Sequence, residues 1–182
     1  MLFRSLEVEA VALIGDNLTL SLSAAYIDAE IKEFLGADCY PGQTAEKGCS
    51  PDETQDIRGG ELPNAPDLKF NLMADYLIEL PDMPFDASVN ASFTWQDDTN
   101  FALTQNPLTE QDSYGVANLS FTIRERNDSR YEVTAFVRNL TDEHYRAGVS
   151  DLRILYGGAS ALGNIWSRDS QQYYGVRAKL NF

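Results

Sequence analysis

Apolar and polar residues alternate along seven segments of this chain. In residues 85–96, Phe, Ala, Val, Ala, Phe and Trp occupy every second position, and Asp, Ser, Asn, Ser, Thr and Gln lie between them. A period of two residues places the two sets on opposite faces of a β-strand. The same pattern predicts strands at 6–14, 18–31, 68–76, 85–96, 116–123, 131–138 and 174–182.

The connections between these strands alternate between short and long. Short turns follow the first, third and fifth strands, at 15–17, 81–84 and 126–129. Long polar loops follow the second, fourth and sixth strands, at 32–63, 97–113 and 141–172. Loops of this length are unusual inside a compact soluble domain. Outer-membrane barrels, in contrast, have short periplasmic turns and long extracellular loops.

Strand length and the placement of aromatic residues favour strands that cross a membrane. Most of the predicted strands contain nine or more residues, whereas strands of globular proteins usually contain about five or six and a tilted membrane strand needs about 9–11. Aromatic residues near strand ends on the apolar face match the interfacial girdles of a barrel. They are Tyr26, Phe85, Trp95, Tyr174 and Phe182. The chain is therefore predicted to be all-β, a segment of an antiparallel transmembrane β-barrel.

A soluble antiparallel β-sandwich binding protein is the alternative fold, because its strands alternate in the same way. Both outer strands would have open edges, which lipid does not tolerate. Bacterial single-chain barrels also have an even number of strands. The first residues, Met1–Ser5, are not followed by the apolar segment of a signal peptide. We therefore expect the chain to be part of a longer barrel protein.

Charge and composition exclude several other functions. The net charge is −14, which argues against a nucleic-acid partner. No apolar run approaches the length of a transmembrane helix. No catalytic set is apparent, since Ser160 lacks the glycine of a nucleophile elbow two residues later. The protein is therefore predicted not to be an enzyme, and no cofactor is predicted.

The two cysteines, Cys39 and Cys49, lie in the first long loop. They predict a disulfide that closes a small loop in an oxidising compartment. A zinc site is not favoured, because there is no second cysteine or histidine pair and His144 is the only histidine. We interpret His144 as loop surface.

Three segments resemble the last strands of TonB-dependent outer-membrane receptors. Residues 172–182 resemble the terminal strand of an outer-membrane protein, with apolar residues at alternate positions before a final aromatic residue. Residues 137–145, Val-Arg-Asn-Leu-Thr-Asp-Glu-His-Tyr, resemble the penultimate strand of these receptors and its exit. Residues 60–66, Gly-Glu-Leu-Pro-Asn-Ala-Pro, resemble the return from an extracellular loop. Their order agrees with the family, and the resemblance covers residues 6–182.

The resemblance implies that residues 1–182 are the C-terminal part of a receptor barrel. Such a barrel has about 22 strands around a plug, so this chain would supply seven meander strands and no plug. The implied function is TonB-dependent active transport of a nutrient such as a ferric siderophore across the bacterial outer membrane. The implied partners are outer-membrane lipid, the plug and remaining strands, the barrel-assembly machinery, and the TonB complex through the N-terminal part. A plug-less porin or channel is the alternative within the same fold.

Particular residues receive roles from the pattern and the resemblance. The alternation places Arg138, Arg177 and Lys179 on the lumen side, where they would pair with carboxylates such as Glu132 or contact the plug or substrate path. The resemblance assigns a strand-exit motif to Asn139, Asp142 and Tyr145, with Asn139 holding the exit by side-chain hydrogen bonds. It also assigns an assembly signal, which consists of Tyr174, Val176, Ala178, Leu180 and Phe182. Four aromatic residues in or near the long loops are candidates for stacking on a ligand: Tyr40, Trp95, Phe101 and Trp166.

Overall fold

Seven antiparallel strands form one sheet, and each strand pairs with its neighbours along the chain. The structure is a computed structural model that describes residues 2–127, 130–152 and 161–181. The strands of the main sheet are β1 (Leu2–Ile14), β2 (Leu18–Glu30), β5 (Leu68–Ile78), β6 (Phe85–Gln96), β9 (Tyr114–Glu125), β10 (Tyr131–Arg138) and β13 (Tyr173–Leu180). Shorter strands in the long loops are β3 (Leu35–Asp38), β4 (Thr54–Asp56), β7 (Thr99–Asn100), β8 (Glu110–Gln111), β11 (Arg146–Asp151) and β12 (Leu162–Trp166). The all-β meander predicted from the alternation is confirmed.

The pairing register sorts side chains into two faces that continue across the whole sheet. One row crosses all seven strands and consists of Ala12, Leu20, Ala74, Ala91, Leu119, Val137 and Tyr174. The adjacent row lies on the opposite face and consists of Leu13, Thr19, Asp75, Asn90, Ser120, Phe136 and Gly175. We call the face of the first row the apolar face and the face of the second row the polar face. Each face keeps its character across strands because directly paired residues point the same way.

Nothing in the described residues covers the apolar face. Val176 is 73% exposed, Leu6 is 64% exposed and Leu72 is 45% exposed. A soluble sandwich would bury these side chains under a second sheet, but the other sheets among the described residues are two-stranded and consist only of short loop strands. The structure therefore does not support the sandwich alternative. A continuous exposed apolar face is suited to hydrocarbon.

Cross-strand hydrogen bonds between side chains connect the strands on the polar face. Asn71 Nδ2 donates to Thr94 Oγ1 at 2.6 Å, and Asn118 Nδ2 donates to Ser92 Oγ at 3.1 Å. Thr122 and Thr134 hydroxyls lie 2.9 Å apart. These groups satisfy part of one another's hydrogen-bonding capacity and leave the rest to water, as the interior of a wide barrel requires.

Close packing of aromatic rings on the apolar face depends on one glycine. The rings of Phe70 and Trp95 stack with centroids 5.6 Å apart. Gly115 pairs with Trp95 in the next strand, and a Cβ at Gly115 would lie 2.7 Å from the Phe93 ring. A glycine in a strand interior commonly marks such a close approach.

The two ends of the sheet have connections of different length. Short turns lie at one end, whereas loop 1 (residues 31–67), loop 2 (97–113) and loop 3 (139–172) lie at the other. Loop 1 contains the described hydrophobic cluster, in which Ile31, Ala37 and Ile57 are buried and Leu62 packs against them. The buried hydrophobic cluster thus lies in loop 1, whereas the other buried apolar side chains among the described residues, Ala87 and Val116, lie singly in β6 and β9. No helix in the described parts of the chain has the length and hydrophobicity needed to cross a bilayer.

The strand boundaries differ from the sequence prediction at several ends. β1 begins at Leu2 and not at residue 6, because its backbone continues to pair with β2, up to the pair Leu2 and Glu30. Each long loop also contains a two-stranded sheet that the sequence pattern did not predict. Strands of two to six residues are too short to show periodicity in the sequence.

Candidate functional site: a cavity beneath three interlocked loops

Loop 1 is bound to loop 2 by the side chain of Gln55 in β4. Its Nε2 donates to the main-chain oxygen of Asp38 at 2.8 Å and to that of Thr104 at 2.9 Å. Its Oε1 accepts from Gln43 Nε2 at 2.8 Å. Gln55 is only 8% exposed. Removing this amide would therefore leave carbonyl oxygens without a partner in a poorly hydrated place.

A second connection between the same loops joins Glu61 and Gln105. The Glu61 main-chain N–H donates to Gln105 Oε1 at 3.2 Å, and Gln105 Nε2 donates to the Glu61 carbonyl at 3.0 Å. The Gln105 amide thus completes a cyclic pair of hydrogen bonds. Gln105 itself has φ 54°, a backbone conformation that ordinary residues rarely adopt.

Arg146 in β11 connects loop 3 to loop 2. Its guanidinium donates through Nη1 to the Leu108 carbonyl at 3.2 Å and through Nη2 to the Glu110 carbonyl. Its main-chain N–H donates to Gln111 Oε1 at 2.9 Å. Loop 1 and loop 3 are therefore both bound to loop 2.

Beneath these loops, a cavity of about 440 Å³ opens over the polar face. This volume lies within the usual range of small-molecule sites, about 300–1,000 Å³. Strand residues from β2, β5, β6 and β9 form part of its wall, and residues of all three loops form the remainder. The lining residues are Ala25, Ile27, Asn64, Pro66, Lys69, Gln96, Thr99, Phe101, Tyr114, Tyr145, Arg146, Ala147 and Ser167.

The two tyrosines of this cavity stack on each other. The rings of Tyr114 and Tyr145 have centroids 4.1 Å apart and planes inclined by 12°. Of the aromatic residues predicted to stack on a ligand, Phe101 lines the cavity and Tyr40 does not. Trp95 lies on the apolar face against Phe70, and Trp166 is 57% exposed at β12.

Asn139 ends β10 and is fully buried, with 0% exposure. Its Nδ2 donates to the carbonyls of Glu143 at 2.8 Å and Asp169 at 3.0 Å, and its Oδ1 accepts from the Glu143 N–H at 2.8 Å. Its own N–H donates to Asn118 Oδ1 at 3.0 Å. With φ 51°, Asn139 occupies the left-handed region that asparagine tolerates better than most residues. One side chain thus connects the strand exit to both ends of loop 3.

The other members of the strand-exit motif have different neighbours. Asp142, at φ 54°, accepts through Oδ1 from the Gln172 N–H at 2.8 Å. Its carbonyl lies 2.8 Å from His144 Nδ1. Tyr145 belongs to the cavity. The motif therefore extends from the end of β10 to the cavity wall.

The three cations predicted to face the lumen share the polar face. Lys179 pairs in register with Glu132, but the ion pair of Glu132 is with Arg124 Nε at 2.7 Å. Arg177 pairs with Thr134. Arg138 lies 5.8 Å from the centroid of the Phe136 ring.

The predicted assembly signal lies on the outermost described strand. Tyr174 and Val176 are 83% and 73% exposed on the apolar face, and Leu180 is 47% exposed. Ala178 pairs with Val133 and also lies on the apolar face. Phe182 lies outside the described residues.

Cys39 and Cys49 form a disulfide with Cα atoms 5.8 Å apart. The bond joins the residue after β3 to the segment before β4, so it closes the hairpin that these two strands form in loop 1. Near this hairpin and loop 2, burial raises the pKa of Glu61, and the nearby carboxylates of Asp98 and Asp67 raise it further. Burial raises the pKa of Asp98, and a hydrogen bond between its carboxyl group and that of Asp97 raises it further. No metal-binding cluster is present among the described residues.

Comparison with known proteins identifies the family. The sequence profile described as "TonB dependent receptor-like, beta-barrel" matches residues 4–140, three quarters of the chain. This chain belongs to the TonB-dependent receptor family. The resemblance to TonB-dependent receptors is thereby confirmed. TonB-dependent receptors are transporters of the outer membrane and not enzymes.

Two solved structures share the fold of this TonB-dependent receptor chain. One is the ferric yersiniabactin uptake receptor FyuA from Yersinia pestis, with a TM-score of 0.68 and 13% identity over 99% of this chain. The other is the siderophore receptor PiuA from Acinetobacter baumannii, with a TM-score of 0.59 and 17% identity over 97% of this chain. This chain spans 23% and 21% of those proteins. No curated protein sequence matches it.

The residues that interlock the loops could not be found from the sequence. Gln55, Gln105 and Arg146 lie in polar segments without periodicity, and their partners are far away in the chain. Among the residues of the cavity, the sequence indicated Tyr145 through the strand-exit motif and Phe101 as a candidate for stacking on a ligand.

Proposed function

We propose that residues 1–182 form the C-terminal part of the barrel of an outer-membrane active-transport receptor, which imports a nutrient such as a ferric siderophore with energy from the TonB complex. The match of the family profile to residues 4–140 carries this proposal. Of the two similar structures, one is a ferric yersiniabactin uptake receptor and the other is a siderophore receptor. The cavity under the loops provides a place where such a solute would first contact the barrel wall.

The two faces of the sheet support different partners for the proposed receptor. The apolar face contacts the lipid of the bacterial outer membrane, because none of the described residues covers its exposed side chains. The polar face lines the lumen, where Arg138, Arg177 and Lys179 face the plug or the solute path. The free edges of β1 and β13 pair with the remaining barrel strands. The outermost strand, β13, is the element that the barrel-assembly machinery binds.

Transport assays test this function in cells that produce the full-length protein. The coding sequence is deleted, and the cells are starved of iron and supplied with a panel of ⁵⁵Fe-labelled siderophores. We expect the deletion to abolish uptake of one class of siderophore, and we expect loss of TonB to abolish the same uptake. A substitution in an exposed part of loop 1, Asp52→Asn, serves as the matched control and should transport normally.

The same assay separates the receptor from the plug-less porin. A porin conducts passively, so its transport would continue after TonB is removed. Uptake that is unchanged by the deletion for every siderophore tested would refute the proposed function. Uptake that needs this protein but not TonB would favour the porin.

A further inference from the structure

Four charged residues of alternating sign lie in one row of the polar face, close to the short turns. Asp86 in β6 pairs with Arg124 in β9, and Arg124 pairs with Glu132 in β10. Glu132 in turn pairs with Lys179 in β13, the outermost described strand. Opposite charges at directly paired positions stabilise neighbouring strands. The row is therefore a ladder of charges that crosses four strands and ends at a cation.

Lys179 differs from the other three members of this ladder, because each of those has an ion pair. Asp86 Oδ1 lies 2.6 Å from Arg126 Nη2, and Glu132 Oε2 lies 2.7 Å from Arg124 Nε. The Glu132 carboxylate thus turns towards β9, on the side of β10 away from β13. Lys179 makes no ion pair and no side-chain hydrogen bond with any other described residue. Its charge is left uncompensated at the end of the ladder.

Arg177 is a second uncompensated cation on the same strand. It pairs with Thr134, whose hydroxyl lies 2.9 Å from that of Thr122 in β9 and is therefore also turned away from β13. Arg177 makes no ion pair or side-chain hydrogen bond within the described parts of the chain. Residues two positions apart on one face of a strand are about 7 Å apart, so the charges of Arg177 and Lys179 repel each other.

The open edge of β13 is the side on which these two charges can be compensated. Within the described sheet, β13 pairs only with β10. In a barrel the other edge pairs with an antiparallel strand, because lipid does not tolerate an open edge. Side chains at directly paired positions have Cβ atoms about 4.5–5.5 Å apart, which is within the reach of lysine and arginine. The next strand can therefore supply the missing carboxylates.

We infer that the strand closing the proposed barrel against β13, which we call the closing strand, carries carboxylates opposite Lys179 and Arg177 and so continues the ladder of charges. The occupant of this edge is the first strand of the barrel in the full-length protein. The inference rests on the barrel of the proposed function and adds the chemistry of the partner. Both cations remain on the lumen side, but the groups that neutralise them lie in the barrel wall.

The direction of the strands specifies the pattern further. A strand antiparallel to β13 starts at the end of the sheet with the short turns, so it meets Lys179 before Arg177. Between its two carboxylates lies the residue that faces lipid beside Ala178. We therefore expect the order acidic, apolar, acidic near the start of the closing strand. A shift of the register by one residue would put these carboxylates into lipid, so the charges also determine how the barrel closes.

Cross-linking of the purified full-length protein in detergent identifies the partner of Lys179. A water-soluble carbodiimide joins an ammonium group and a carboxylate in contact through an amide bond, with loss of water. After digestion with trypsin, we expect mass spectrometry to show Lys179 joined to an aspartate or glutamate of the closing strand. Lys179→Arg is the matched control, because it keeps the charge but its guanidinium does not form this amide. A cross-link of Lys179 only to Glu132, to a plug or to a second copy would overturn the inference, as would no cross-link at all.

Charge reversal measures what this contact contributes to assembly in the outer membrane. The comparison is made in the variant Glu132→Gln, so that repulsion from Glu132 is absent. Lys179→Glu then places a carboxylate opposite a carboxylate, and we expect the folded fraction, seen as the heat-modifiable band of unboiled samples in gel electrophoresis, to fall about threefold below that of Lys179→Gln. Replacing the cross-linked carboxylate by lysine should restore assembly of Lys179→Glu. Equal folded fractions of Lys179→Glu and Lys179→Gln would overturn the inference.

The outcomes separate this inference from the transport function. A cross-link from Lys179 to the closing strand, in a protein whose uptake does not need TonB, would support the inference and refute the proposed transport. TonB-dependent uptake by a protein in which Lys179 is cross-linked elsewhere would refute the inference and leave the proposed transport intact.

Discussion

Tyr114 and Tyr145 stack face to face at a centroid distance of 4.1 Å, and this contact joins a strand of the sheet to loop 3. Tyr114 begins β9, whereas Tyr145 precedes β11. Residues 139–145 make the sharp exit from β10 and end at Tyr145, so the stacked rings fix where loop 3 crosses the sheet. Both rings then remain at the cavity wall.

Replacing Tyr145 by alanine should loosen loop 3. Ring stacking contributes about 0.5–1.5 kcal/mol beyond burial, so local opening should become several times more frequent. Trypsin cleavage after Arg146 on intact cells measures this opening, and we expect about fivefold faster cleavage in Tyr145→Ala. Tyr145→Phe keeps the ring and should resemble the unchanged protein. Equal cleavage of all three proteins would show that the stack does not hold the loop.

Replacing Asn139 should destabilise the barrel at the exit of β10. Asn139→Ala removes two donors and one acceptor from a buried position and also disfavours φ 51°. We expect a loss of roughly 3 kcal/mol in the free energy of unfolding. The measurement is urea unfolding of the full-length protein in detergent micelles.

Two other variants separate the causes of that loss. Glycine adopts a positive φ without strain, so the free energy of unfolding of Asn139→Gly should be about 1 kcal/mol higher than that of Asn139→Ala. Asn64, at φ 60°, is exposed and has no side-chain hydrogen bond in the described chain. Asn64→Ala should therefore cost only about 1 kcal/mol. Similar losses in Asn64→Ala and Asn139→Ala would show that the hydrogen bonds of Asn139 contribute nothing.

Opening the disulfide should weaken loop 1 without affecting the sheet. Cys39 and Cys49 are separated by 10 positions, and chain-entropy reasoning gives about 2–3 kcal/mol for a loop of this size. We expect the double variant Cys39→Ser and Cys49→Ser to show faster proteolysis within residues 40–58. The sheet should still unfold at the same urea concentration. A lower midpoint for the sheet would contradict the separation of loop 1 from the barrel wall.

The orientation of the sheet can be tested with single cysteines in a background that lacks Cys39 and Cys49. Leu108 is 64% exposed in loop 2, and Asp82 lies in the exposed turn between β5 and β6. A cysteine at Leu108 should react with a membrane-impermeant maleimide added to intact cells. A cysteine at Asp82 should react only after the outer membrane is permeabilised. The opposite pattern would reverse the assignment of the loops to the cell exterior.

The contact between loops 1 and 2 should weaken as pH rises through the pKa of Glu61. The folded-state pKa lies above the ordinary value of 4.5 because of burial and neighbouring carboxylates, so the folded protein binds the proton more tightly than the unfolded chain. Stability from this group is present below the ordinary pKa and is lost as pH rises through the folded value. Glu61→Gln should remove this dependence and slow proteolysis of loops 1 and 2 at pH 7. Glu46→Gln, in the exposed part of loop 1, is the control and should not.

The sequence predicted the sheet well, because a strand with one apolar face and one polar face must alternate apolar and polar residues. In β6, each apolar residue from Phe85 to Trp95 lies in a row with apolar neighbours or a glycine, apart from Phe85, which pairs with Glu125. A shift of the register by one residue would put charged groups into lipid, so the pattern also indicates the pairing. The terminal segments carried enough of the family pattern to indicate TonB-dependent receptors.

The cavity was decided only by the tertiary structure. Lys69 belongs to a strand and Arg146 to a loop, and no local pattern in the sequence relates two residues so far apart. Their meeting depends on the hydrogen bonds of Gln55, Gln105 and Arg146, which position the loops over the polar face. Alternation fixes which way a strand residue points, because the backbone period is local. The place where a loop lies depends on contacts between distant segments, and a single sequence does not reveal them.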